Sequence, residues 1–86
     1  MFLHLGRDVV IPASEVVAIF DIDISRKSGT TRQFIRTAED LGKIIDVSDG
    51  RPKSFVVAEG KVYLSPISPL TLKKRGGSVS ALDESE

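Results

Sequence analysis

The chain is organised around residues 41–69. There, three short runs, Ile44-Ile45, Phe55-Val56-Val57 and Val62-Tyr63-Leu64, are separated by two glycine turns. Asp49-Gly50 and Glu59-Gly60 each offer a residue that takes positive φ without a Cβ clash, so each marks a turn between strands. The run at 55–57 is continuous rather than alternating, the pattern of a strand covered on both faces, and it predicts the centre of a sheet. Arg51 and Lys53 stand at the entrance to that strand, one residue apart. An extended backbone would put them on one face.

The first half predicts a hairpin, a strand and a helix. Residues 2–5 and 9–11 are β-rich around Gly6-Arg7-Asp8, which reads as a three-residue turn, and Pro12 stops the second strand. Pro12-Ala13-Ser14-Glu15 has the composition of a helical turn capped by Ser14. The β-branched stretch at 16–24 predicts a strand, and the polar stretch at 25–30, with Arg26, Lys27 and Gly29, a loop. From 31 to 41 the spacing of Phe34, Ile35, Ala38 and Leu41 makes one apolar helical stripe, and Gly42 is placed to end it. The helix carries its bases early and its acids late, against its own dipole, so packing must hold it. After the central strands, Ser68-Pro69 predicts the start of a short helix carrying Leu70 and Leu72 and ending in Lys73-Lys74-Arg75. The fold class is therefore α+β: a small mixed or antiparallel sheet with one main helix and a short C-terminal helix. It forms one domain over residues 1–75, and the small, polar and acidic stretch at 76–86 reads as a disordered tail.

Composition adds three constraints. Eighty-six residues give a marginal core, so self-association is expected. The absence of Cys excludes disulfides and thiolate metal sites. The N-terminus has neither the basic flank nor the apolar length of a signal peptide or membrane span, so the expectation is a cytoplasmic protein without membrane contact. The formal net charge is zero, but Asp83, Glu84 and Glu86 lie in the tail, leaving residues 1–75 with 12 bases against 9 acids, a formal +3. An excess of that size permits nucleic-acid binding without demanding it.

Catalytic chemistry finds no constellation. His4 is the only His and has no adjacent nucleophile in sequence. Asp21 and Asp23 share one face of the predicted strand, a spacing compatible with a cation but ordinary for a solvated strand end. Ser28-Gly29-Thr30-Thr31 lacks the lysine and glycines of a phosphate loop. No enzyme, metal site, cofactor or small-molecule substrate is expected. The bases, in contrast, gather on loops and element ends, where phosphate contacts are usually made: Arg51 with Lys53, Arg7, Arg26 with Lys27, and Arg32. The closing cluster at 73–75 already has a structural use at a helix C-terminus. The four Phe and one Tyr mostly occupy core-pattern positions, leaving no stacking platform for single strands.

Asp49-Gly50-Arg51-Pro52-Lys53-Ser54-Phe55-Val56-Val57, Tyr63-Leu64-Ser65-Pro66 and Thr71-Leu72-Lys73-Lys74-Arg75 resemble the bacterial extracellular matrix regulatory proteins of the RemA/RemB family. The sequence is most similar to the RemB branch, in which Phe2-Leu3-His4-Leu5-Gly6 and Val17-Ala18-Ile19-Phe20-Asp21 also find counterparts. The resemblance implies a small α+β domain that assembles into rings and, in the RemA branch, binds promoter DNA to activate biofilm matrix genes. It matches Arg51 to a basic position used for DNA. It also marks two departures: Pro52 stands where RemA has a second Arg, and Glu15 where RemA has another functional base. The leading expectation is a homo-oligomeric regulator that binds the phosphate backbone of duplex DNA. The alternative is a protein-interaction module that co-assembles with other regulators and touches no DNA.

Overall fold

The computed structural model describes residues 1–76, so the expectation of a disordered acidic tail lies outside the described residues. Among these residues six strands form two sheets, accompanied by three α-helices. The first is a hairpin of β1 (Phe2–Gly6) and β2 (Val9–Pro12). Its turn is two residues, Arg7 and Asp8, rather than three, because Gly6 still pairs with Val9 across an irregularity after His4. A 3-10 turn at Ala13–Glu15, following Pro12 rather than capped by Ser14, leads into β3 (Val16–Asp21).

The second sheet has the order β3-β5-β6-β4, with β4 at Ile44–Asp46, β5 at Ser54–Ala58 and β6 at Lys61–Ser65. The 55–57 run is in an inner strand, as its continuous apolar pattern requires, and β5 and β6 form an antiparallel hairpin about Glu59-Gly60. The Asp49-Gly50 turn does something else. β4 pairs with the far side of β6, in parallel, so this turn carries the chain across the end of β6 rather than closing a hairpin.

Two elements depart from their predicted bounds. The strand expected over 16–24 stops at Asp21, whose Oδ1 accepts the Asp23 N–H at 2.8 Å and bends the backbone out of the ladder. The expected loop at 25–30 is instead the short helix α1 (Ile24–Lys27) followed directly by α2 (Gly29–Asp40), whose N-cap is Ser28: its hydroxyl accepts the Thr31 N–H. Gly42, at φ 71°, follows the end of α2. The C-terminal helix α3 (Pro69–Gly76) starts as expected, with the Ser68 hydroxyl accepting the Thr71 N–H.

The sheet separates two apolar layers. Val56 and Tyr63 face the hairpin and α3, meeting Leu3, Leu5, Ile11 and Leu72 in the larger core. Phe55 and Val62 face α2, where Ala38 is buried and Ile35 and Leu64 pack alongside. The helix stripe is only half used. Phe34 is 44% and Leu41 65% exposed, because α2 packs over β4 and β6 and leaves the β3 side of the same face uncovered. Among the described residues no helix is long and apolar enough to cross a membrane.

Candidate nucleic-acid interface

Strand directions decide which loops meet. Asp21 of β3 pairs with Ser54 of β5, Ser54 with Ser65 of β6, and Asp46 of β4 with Leu64, so the end of β3, the start of β5 and the ends of β4 and β6 lie together. The hairpin turn reaches the same place: Gly6, at φ 132°, approaches so closely that a Cβ there would lie 2.8 Å from Pro66 Cδ. Only glycine fits that conformation and that gap. Ser65 ties the layers together by donating its hydroxyl to the Leu5 carbonyl while accepting the Ile67 N–H.

This end of the sheet collects most of the bases singled out from sequence. Arg7 stands on the hairpin turn, with its Nη2 3.2 Å from Asp49 Oδ1. Arg51 follows the Asp49-Gly50 turn, and its N–H donates to the Ser48 carbonyl at 3.1 Å. That bond ties the start of the Arg51–Lys53 segment to the turn. Lys53 is fixed by both its backbone groups, donating to Ser65 at 2.8 Å and accepting from Ile22 at 3.1 Å. With Arg26 it lines a cleft of about 310 Å³ bounded by Asp21, Asp23, Pro52 and Ser68. Arg26 is itself paired with Asp23, at 2.9 Å.

Lys27 is exposed in the last turn of α1. Arg32 lies on α2 beside Arg36, bordering a hollow of about 200 Å³ that also touches Ile22 and Ser25, so it flanks the site rather than entering the cleft. Glu15 is elsewhere: its carbonyl accepts the Glu59 N–H, which places it at the opposite end of the sheet. Within one subunit it does not share a surface with Arg51.

The loop that carries Arg51 is rigidified by an anion. Asp46 Oδ1 accepts both the hydroxyl and the N–H of Ser48, and these bonds hold the Asp46 carboxyl below its ordinary value of 3.8. Asp49 and Gly50 then take φ of 57° and 83°, consecutive left-handed residues that turn the backbone sharply.

Sequence reasoning missed the acids. Asp23 and Asp49 each hold one of the bases, whereas Arg51 and Lys53 have no ion-pair partner among the described residues. Asp49-Gly50 is legible in the sequence only as a turn, since an ion pair between residues 42 positions apart leaves no local signal. Among the described residues no group of three or more His, Cys, Asp or Glu is placed to hold a metal ion.

Comparison with known proteins places these observations in a family. The model of the RemA-like family, described as extracellular matrix regulatory protein A-like, matches residues 2–75. The chain is 35% identical over 83 residues to the extracellular matrix regulatory protein B of Bacillus subtilis strain 168, covering 96% of this chain and 99% of that protein. It is 28% identical over 85 residues to proteins described as regulatory in Bacillus cereus strain AH187 and Bacillus mycoides strain KBAB4, covering 96% of this chain and 93% of each.

Proposed function

The chain belongs to the RemA-like family of extracellular matrix regulatory proteins, and from that premise we propose that it is a cytoplasmic, non-enzymatic transcriptional regulator of matrix genes that binds duplex DNA as a ring-type homo-oligomer. The observation that carries this reading is the convergence of Arg7, Arg51, Lys53 and Arg26 from three separate segments onto one end of the sheet, with Lys27 and Arg32 beside them. Arg51 and Lys53 are the bases free to meet phosphate without first breaking an ion pair. Arg7 and Arg26 reach it by exchanging a carboxylate for a phosphate.

Among the described residues, α1 has four residues and α3 is seated in the larger core by Leu72, so neither serves as a recognition helix for the major groove. Contact is therefore to the backbone, and sequence preference comes from how readily a duplex bends around the assembly. A mobility-shift titration of a bent promoter-length duplex at several salt concentrations tests the proposal. Binding that weakens steeply with salt is expected. No salt-dependent binding by an intact oligomer would leave the protein-interaction module as the reading.

A further inference from the structure

Arg32 and Arg36 sit on α2 at a spacing that works against the helix. Four residues apart, they share one face, where like charges repel. Arg32 also stands in the first turn, whose free amides already carry partial positive charge. Both side chains are exposed, and neither guanidinium has a hydrogen-bond or ion-pair partner among the described residues. Glu39 and Asp40 follow Arg36 at the spacings that favour helical ion pairs, yet neither pairs with it. The stability of the helix gives no reason for these two cations, and an anion beside them would offset both penalties.

The surface around them shows where such an anion would lie. Arg32 and Arg36 line both a hollow of about 200 Å³, with Ile22 and Leu64, and one of about 170 Å³, with Gly29 and Gln33. Glu39 is the only acid on either rim. Ile22 also borders the cleft of Lys53 and Arg26, so the arginine pair adjoins the basic end of the sheet. Residues four apart on a helix are separated by about 6 Å along its axis, close to the step between successive phosphates of one DNA strand. We propose that a duplex strand passing Lys53 and Arg26 continues along α2, where Arg32 and Arg36 each hold one of two consecutive phosphates. The guanidinium fork suits this contact, because it can meet two phosphate oxygens at once. This rests on the duplex binding of the proposed function and extends it from the end of the sheet to the flank of the helix, through Arg36.

Arg36→Ala tests it. In a mobility shift at several salt concentrations this variant should bind every duplex more weakly, and its slope of log affinity against log salt should be flatter by about 0.9 for each phosphate released. The double variant Arg32→Ala/Arg36→Ala should lose about twice that slope, and Arg36→Lys should recover part of the affinity. The melting temperature of Arg36→Ala should match or exceed the parent's, since Ala favours helix and a like-charge repulsion is removed. Because the chain has no Cys, the Arg36→Cys chain labelled with a photoreactive maleimide gives an independent readout: it should cross-link to duplex DNA, and Lys61→Cys with the same label should not. Parental affinity and slope in Arg36→Ala, a melting temperature lowered by several degrees, or no cross-link from the labelled Arg36→Cys chain would each overturn the proposal. If Arg51→Ala weakens binding and Arg36→Ala does not, the DNA reading stands and this extension falls; if the unaltered chain shows no salt-dependent binding, both fall.

Discussion

The Arg7 guanidinium lies 3.2 Å from the Asp49 carboxylate, joining the tip of the N-terminal hairpin to the turn that presents Arg51. Both side chains are more than half exposed, so the pair contributes at most about 1 kcal/mol to stability. Its larger effect is on the electrostatics of the site, where Asp49 holds one base and stands beside another. Asp49→Asn keeps a residue that tolerates φ of 57° while removing the charge. Its expected outcome is tighter duplex binding with a melting temperature within a few degrees of the parent. The slope of log affinity against log salt should steepen by about 0.9 for each Arg7 that gains a phosphate. Unchanged affinity in the mobility shift would show that Arg7 faces away from the DNA.

Arg51→Ala should weaken binding to every duplex and flatten the salt slope by roughly 0.9 for each phosphate no longer neutralised. Lys53→Ala should act in the same direction but less, since an ammonium lacks the planar fork that holds a phosphate in one geometry. Lys61→Ala is the control, because Lys61 opens β6 at the far end of the sheet. A mobility shift at two salt concentrations measures all three. Equal losses for Arg51→Ala and Lys61→Ala would mean that the basic end is not the DNA face.

Gly6→Ala should destabilise the fold by about 2 kcal/mol or more, because φ of 132° is strained for any residue with a Cβ and because that Cβ would meet Pro66 at 2.8 Å. Relief requires the hairpin turn to lift, which moves Arg7 away from Asp49. The variant is therefore expected to lose stability by urea unfolding and, under conditions where it remains folded, to bind DNA with a flatter salt slope. Parental stability would show that the hairpin can be seated by other contacts.

Ser48→Ala removes the hydroxyl that Asp46 accepts and should cost about 1 kcal/mol at pH 7. The pH dependence follows from the direction of the shift. Asp46 titrates below 3.8 in the folded chain, so its contribution is complete above that value and is lost as the pH falls through the lower, folded value. The stability gap between parent and Ser48→Ala should hold from pH 7 down to about 5 and close in strong acid. Urea midpoints measured at about pH 7 and near pH 2.5 check this, and a gap that persists undiminished in acid would assign the loss to packing of the buried Ser48.

Apolar periodicity and turn chemistry made the hairpin, the inner strand at 55–57, the body of α2 and the start of α3 legible. The errors share a cause, which is that a local signal was overridden by a partner it does not encode. Ile22 continues an alternating pattern, yet Asp21 turns back on the Asp23 amide and the strand ends. Phe34 and Leu41 complete a helical stripe, yet the helix packs chiefly on β4 and β6, and no periodicity reports how wide a surface a helix will be asked to cover. The basic residues were legible as a set, but their meeting depends on β4 pairing beyond β6, a long-range choice that the turn at Asp49-Gly50 does not encode. The carboxylates opposing Arg7 and Arg26 were visible as residues and invisible as partners.

The hydrogen bond from Ser65 to Leu5 spans sixty positions, and Leu72 of the last helix lies in the same core as Leu3 of the first strand. No piece of the chain that omits the first strand or the last helix contains both sides of that core. A product begun at a downstream start codon, or one released before residue 72, lacks one wall of it and exposes the inner faces of β5 and β6. The domain therefore has no smaller version of itself: a ribosome that stops early or starts late makes a substrate for proteolysis rather than a weaker regulator.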